Sequence, residues 1–425
     1  MPSLCALVRA LVAPLALIIG LGVALLFVAG RASAEPGDAP TTLASEPTGT
    51  APATPRIALL TMGPGDDFVT KFGHDALVVE YPGRPALVYN FGMYTPQSIT
   101  LPRVLTGNLR YWLAVTPYAP TVALYRAQNR RLVAQELALE PTAARALAAA
   151  LVENARPENA SYRYDYALDN CTTRVRDALD RATGGALRRT LEKAPAASTY
   201  RDHALRLTAG DAWLSLLFDM GLGARADVAL SGWDDAYLPD RLAAAVRRVT
   251  LTTHGTTHAL VERETVIFEA ARVPVLDAPP PRARWFLVVG IVIAGALIAC
   301  SRSARREARV GGALLAMLSS FAVGALGLLL LALLLTDVHP VVRPNANILF
   351  CWPLALAFVP LAVRVALGRG LRTRRAERLA LSGLALALAG VVATFGIGEN
   401  TAHLALFFVP YFAGLWCFVR AQRRH

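Results

Sequence analysis

Cysteine is scarce, with five in 425 residues. They are Cys5, Cys171, Cys300, Cys351 and Cys417, and the last three fall in or beside long apolar stretches. None has the close spacing of a metal-binding set. Cys171 is alone in the central region, so it has no partner for an intradomain disulfide. A glycine-rich phosphate cradle is also missing. His254 and His258 stand at i and i+4 without an acidic residue to complete a metal motif. The net charge is +12, yet no basic stripe interleaved with aromatics runs through the chain, which argues against a nucleic-acid partner. Arginines collect instead in short clusters between apolar segments, where they carry topology information. These absences leave no metal, no cofactor and no nucleic acid among the expected partners.

The chain does have long hydrophobic runs. Leu4 to Ala29 is apolar with Arg9 its only charge, and Ala32-Ser33-Ala34 suits signal-peptidase cleavage. Residues 1–34 therefore read as a signal peptide or an uncleaved signal anchor, and either exports the central region of the chain. Residues 35–55 are rich in Ala, Pro, Thr, Glu and Gly and read as a flexible linker. An exported domain is expected over 56–278, a proline-rich linker over 279–284, and a transmembrane domain over 285–420. Five apolar spans are expected near 285–299, 311–335, 348–367, 379–397 and 404–419. Arg302, Arg305, Arg306 and Arg309 fill the first connection, Arg369, Arg372, Arg374, Arg375 and Arg378 the third, and Arg420, Arg423 and Arg424 the tail. Alternate connections are thus basic and face the cytoplasm by the positive-inside rule. This places the C-terminus inside and residue 284 outside, in agreement with export of the domain.

Within 56–278 the pattern predicts strands at Ile57–Met62, Ala76–Tyr81, Ala86–Phe91, Tyr111–Val115 and Val122–Tyr125. Pro82-Gly83-Arg84-Pro85 makes the second and third a hairpin, with His74 and Asn90 near corresponding ends. Pro141 starts a helix to about Ala155, and 156–163 reads as a loop. Asp169 or Asn170 can cap a second helix, whose stripe of Val175, Ala178 and Leu179 runs to about Thr183. Thr199 to Val249 reads as helical with interruptions.

Cys171 falls in the first turn of that second helix. Unpaired N–H groups and the helix dipole there favour a thiolate. His74 is the candidate base, and Asn90 the candidate group that orients it. Asp75 ranks lower, since alternation points it to the opposite sheet face from His74. The backbone N–H groups of Cys171 and Thr172 could receive an oxyanion, and Tyr164 or Tyr166 could add a hydroxyl. The competing reading is a buried structural cysteine and a surface histidine. The outward connections carry His339, Asn345 and Asn347, then Glu399, Asn400 and His403. These either contact headgroups or shape a site for a lipid-borne substrate.

Phe72-Gly73-His74, Tyr89-Asn90-Phe91-Gly92, Asn129-Arg130-Arg131, Tyr164-Asp165-Tyr166 and Asp169-Asn170-Cys171-Thr172-Thr173-Arg174 resemble the Lnb N-terminal periplasmic domain. His339-Pro340 and Pro344-Asn345-Ala346-Asn347-Ile348-Leu349 resemble the membrane domain that comes after it in that family. The resemblance implies an α+β, circularly permuted papain-like (NlpC/P60-type) exported domain ahead of five transmembrane helices, with histidine preceding cysteine. Characterised members are lipoprotein N-acyltransferases, which move a fatty acyl chain from the diacylglyceryl group to the α-amine of the N-terminal cysteine. Carried over, Cys171 attacks the ester carbonyl and His74 takes the thiol proton. Tyr164, Tyr166, Thr172, Arg174, His339, Asn345 and Asn347 form the expected substrate-binding set. The expected partners are a lipoprotein or phospholipid acyl substrate and the lipid bilayer, at the inner (cytoplasmic) membrane with the catalytic domain on its periplasmic or outer face. A cysteine hydrolase of the same fold is the nearest alternative, and an inactive membrane-anchored sensor or scaffold is another. A transporter ranks last, because the spans carry few charges.

Overall fold

The computed structural model describes residues 53–193, 196, 198–336, 338–369, 371 and 374–422. The expected signal segment, and the linker through residue 52, lie outside the described residues. The chain divides into two units. One holds the described residues through Gly210 together with Ala229–Ala278; the other holds Asp211–Val228 together with the described residues from Pro279.

Among the described residues the first unit is built on nine strands: β1 (Arg56–Met62), β2 (His74–Glu80), β3 (Leu87–Met93), β4 (Arg110–Pro117), β5 (Leu132–Leu137), β6 (Ser161–Arg163), β7 (Thr250–Thr253), β8 (Thr256–Ala259) and β9 (Val261–Phe268). Seven of them form an antiparallel sheet in the order β6-β4-β3-β2-β1-β5-β9, and β7 and β8 form a separate hairpin. β1 and β2 lie at the centre of the sheet. Their near-continuous apolar runs fit strands covered on both faces. On one face Leu59, Leu77, Val79, Tyr89 and Phe91 pack with Val175 and Leu179 of the helix Cys171–Ala182 and with Leu147 and Leu151 of the helix Pro141–Asn154. On the other face Leu60, Met62, Ala76, Val78 and Val88 pack against Tyr125.

Three segments differ from the sequence reading. Val122–Tyr125 is part of a helix, Tyr118–Ala127, and not a strand. Pro120 falls in its first turn, where a missing N–H costs nothing. Thr121 and Tyr125, one turn apart, bury the inner face. Residues 156–163 are not a loop throughout: Pro157–Ala160 is a single helical turn, and β6 pairs with β4 through Tyr111 and Tyr162. The helix Ala212–Gly221 and its flanks, expected in the exported domain, belong to the second unit.

In the second unit five segments among the described residues are long and apolar enough to cross a membrane: Ala283–Arg302, Arg306–Leu335, Ala346–Ala366, Arg375–Ile397 and Ala402–Ala421. Small residues let them approach closely. A Cβ on Gly290 would lie 2.7 Å from the Leu406 carbonyl oxygen, and one on Gly414 would lie 2.6 Å from the Ala294 Cα. The third segment is not one helix. Short 3-10 turns at Ala346–Leu349 and Pro353–Ala357 precede the helix Phe358–Ala366. Irregular backbone is tolerated at such depth when protein surrounds it. Phe350, Cys351 and Ala355 are accordingly fully buried.

Candidate active site

Asn170 is the N-cap of the Cys171 helix. Its side-chain oxygen accepts from Thr173 N–H at 2.9 Å, and the Thr173 hydroxyl accepts from Asn170 N–H at 2.8 Å. This reciprocal cap fixes the first turn. The Asn170 amide also donates to the carbonyls of Tyr166, at 2.7 Å, and Tyr237, at 3.1 Å, which ties the turn to the loop before it and to the segment ahead of Pro239. Helix geometry leaves the N–H groups of Cys171 and Thr172 without intrahelical acceptors.

One cleft at the end of the sheet is lined by both Cys171 and His74, with Gly92, Tyr164, Tyr166 and Thr172 among its other walls. His74 opens β2, and its Nε2 lies 3.4 Å from Asn90 Oδ1. The Asn90 amide nitrogen faces the Val88 carbonyl at 3.3 Å and the Thr116 hydroxyl at 2.9 Å. A carbonyl can only accept, so Asn90 must turn its oxygen toward the histidine. His74 then carries its proton on Nε2, and Nδ1 is left as the basic nitrogen. The ring stacks on Tyr125 at 6.4 Å between centroids. Burial, and then the Arg130 guanidinium, push the imidazole down to about 4, while Asn90 pulls the other way. Near neutral pH His74 is therefore neutral. Asn90→Ala frees the ring to rotate, and an activity loss of about 10-fold to 100-fold is expected in steady-state kinetics, with KM little changed.

The thiolate expected of Cys171 is not what its surroundings favour. Burial first, then the charge of Asp75, push the thiol up to about 11, against the backbone N–H of Asp75 and the N–H and hydroxyl of Thr172. The dipole of one helix turn is outweighed by burial and a like charge. Asp75 is next to His74 in β2 and takes the other sheet face, which is the face that carries the Cys171 helix. It is fully buried beside the cross-strand neighbour Thr61, whose hydroxyl donates to Oδ1 at 2.8 Å. Oδ2 has no hydrogen-bond partner among the described residues. Burial pushes this carboxyl up to about 7, against the nearby Thr61 and Thr172 hydroxyls, with the charge of Asp240 adding to the rise. The resting site is thus a neutral thiol with a neutral imidazole.

Gly92 explains the close fit of strand and helix. Its φ is +83°, and a Cβ there would lie 3.0 Å from the Cys171 Cβ. Gly92→Ala is expected to displace the sulfur and lower activity by about 100-fold while the sheet survives; steady-state kinetics beside far-ultraviolet circular dichroism checks both.

The other expected site residues divide between the two units. Tyr164 lines the cleft and stacks on Tyr111 at 4.1 Å. Tyr166 also lines it, with its hydroxyl 3.2 Å from that of Tyr237. Burial raises the pKa of both phenols, so they stay protonated. Thr172 lines the cleft. Arg174 does not: it forks onto Asp169 at 2.7 and 2.8 Å and lies 3.7 Å over the Tyr162 ring, which makes it a brace for the turn. His339, Asn345 and Asn347 belong to the membrane unit, where both asparagine amides hold backbone carbonyls. Asp75 lies beside the thiol, Gly92 against the Cys171 Cβ and Arg130 near His74, placements that residue type and spacing did not assign. Gly92 and Arg130 were visible only as members of short motifs.

A mixed α/β unit with a cysteine–histidine cleft, ahead of five apolar helices, defines a multi-pass membrane protein in contact with the lipid bilayer. Two family models match the chain in that order: the Lnb N-terminal periplasmic domain over residues 48–205 and the Lnb transmembrane domain over residues 278–395. The chain belongs to the Lnb-type family. No curated protein and no solved structure matches it.

Proposed function

We propose that this protein is a thiol acyltransferase that moves a fatty acyl chain from the diacylglyceryl group of a lipoprotein to the α-amine of its N-terminal cysteine, through a thioester on Cys171. The single observation that carries this reading is the cleft lined by both Cys171 and His74, with Asn90 holding the imidazole so that Nδ1 is free. The family match and the five apolar helices support a substrate held in the bilayer. The histidine-before-cysteine order and the helix-on-sheet placement of the thiol fit a circularly permuted papain-like domain. The arginine clusters support an inner-membrane protein with the domain on the periplasmic or outer face and a cytoplasmic C-terminus.

Two neutral partners set the mechanism. With the thiol near 11, roughly one site in 10,000 holds a thiolate at pH 7. Attack and proton transfer are therefore coupled: Cys171 Sγ bonds to the ester carbonyl carbon as His74 Nδ1 takes the thiol proton. The N–H groups of Cys171 and Thr172 receive the oxyanion. Collapse breaks the ester C–O bond, and the imidazolium returns the proton to the leaving glycerol oxygen. The incoming amine then attacks the thioester, His74 accepts its proton and passes it to the departing sulfur, and the amide is released. Tyr164 and Tyr166 line the cleft as neutral phenols and offer apolar walls to the acyl chain.

The test uses purified protein and a synthetic diacylglyceryl-cysteine lipopeptide, with fragmentation mass spectrometry to locate each chain. An acyl group on the cysteine nitrogen, with one lost from glycerol, is expected. Free fatty acid without N-acylation would instead assign the site to hydrolysis.

A further inference from the structure

Residues 211–228 lie between the stretches that the two family models match. Asp211 caps the helix here through Leu214 N–H at 3.0 Å, and Ala-Trp-Leu-Ser-Leu-Leu-Phe runs on without a charge until Asp219. The helix has ten residues. It rises about 15 Å, half of what crosses a bilayer core.

A helix that ends in water leaves its last carbonyls to solvent. This one does not. The Asn345 amide donates to the carbonyls of Met220 and Gly221, each at 3.1 Å. The Asn347 amide donates to those of Asp219 at 3.4 Å and Met220 at 3.1 Å. The irregular backbone beyond is matched too: Gly223 N–H donates to Val341 O at 2.9 Å and Ala224 N–H to Pro344 O at 2.7 Å. A Cβ on Gly223 would lie 2.2 Å from the Pro344 oxygen, so glycine is what permits the approach. Asp219 is fully buried, with His403 at 2.8 Å and Arg282 at 3.5 Å. The Met220 sulfur is 3.9 Å from that of Cys351, near the start of the third span and inside the bundle core. Hydrocarbon demands this saturation of non-helical backbone and buried charge, whereas water would supply it unaided. Leu216, one turn before Met220, packs on the bundle core, while Trp213 is exposed and Leu217 half-buried.

We propose that residues 211–228 form a re-entrant element sunk into the leaflet at the end of the bundle opposite its arginine-rich connections, with Trp213 and Leu217 against lipid acyl chains. Its partners all lie on that end: Arg282 before the first span, residues 341–347 and His403. Trp285 and Val288 of the first span present the same exposed apolar surface. The element gives the membrane unit a lipid contact in addition to the five spans, whatever reaction Cys171 performs.

The wild-type full chain in phosphatidylcholine vesicles that carry a diazirine on one acyl chain tests this, with no need for turnover. After photolysis and digestion, mass spectrometry should find adducts on Trp213–Phe218 as well as on the five spans, and none on the β1–β5 strands. Adducts on the spans but none on Trp213–Phe218 would overturn the proposal. So would equal labelling of the strands, since the reagent would then report exposure and not lipid.

Discussion

Replacing Cys171 with alanine is expected to abolish acyl transfer, by roughly 10,000-fold or more, while leaving the fold intact. The sulfur is the only atom in the cleft proposed to form a covalent bond, and no neighbour can take its place. Asn170, and not Cys171, caps the helix, so the truncation does not unseat the first turn. Cys171→Ser should be nearly as damaged. A serine hydroxyl ionises far less readily than even this raised thiol, and one neutral imidazole cannot make up the difference. The measurement is single-turnover acylation of purified protein by the lipopeptide, read as intact mass. A wild-type protein gains one acyl chain; both variants gain none. Normal turnover by Cys171→Ala would sink the thioester mechanism.

Much of the α/β unit is legible because its signals are local. β1, β2 and β3 show as apolar runs separated by turn chemistry at Gly63-Pro64-Gly65 and Pro82-Gly83, and the capped helix shows in Asn170 and the Val175–Leu179 stripe. What escapes is non-local. Val122–Tyr125 has strand composition, but it must cover Leu60, Met62 and Val78 from above the sheet, and a helix does that. The pairing of β5 with β9, across more than a hundred residues, leaves no mark in either segment. Ala212–Met220 reads correctly as an apolar helix, yet nothing in its own residues says which unit it packs on. That information sits in Asn345, Asn347 and His403, far along the chain. The cleft shows the same limit. Residue type and spacing single out Cys171, His74 and Asn90, but the protonation states depend on neighbours from other elements. Alternation separates Asp75 from His74; only the packed fold shows that Asp75 lies beside the thiol, while His74 meets Cys171 at the cleft that both line.

His74→Ala is expected to lower the acylation rate by about 100-fold to 10,000-fold, the span usual for a lost general base. The pH profile identifies its cause. Neutral His74 is needed to accept the thiol proton, and its pKa is lowered to about 4 by burial and Arg130. The wild-type rate should therefore hold through pH 6.5, where an unperturbed histidine would fail, and fall only as pH drops toward about 4. On the alkaline side Asp75 sets the limit. Its carboxyl is neutral below about 7 and ionises above it. The new charge opposes charge developing on Cys171, so the rate should decline as pH rises through about 7. Asp75→Asn keeps the shape and removes the charge, which should abolish the alkaline decline and leave the acid limb in place. Single-turnover acylation from pH 4 to 9 reads both limbs without the separate titration of the acceptor amine. An alkaline limb that persists in Asp75→Asn would remove Asp75 from the control of the thiol. An acid limb near 6.5 in the wild type would mean that His74 titrates in water, outside the buried stack with Tyr125.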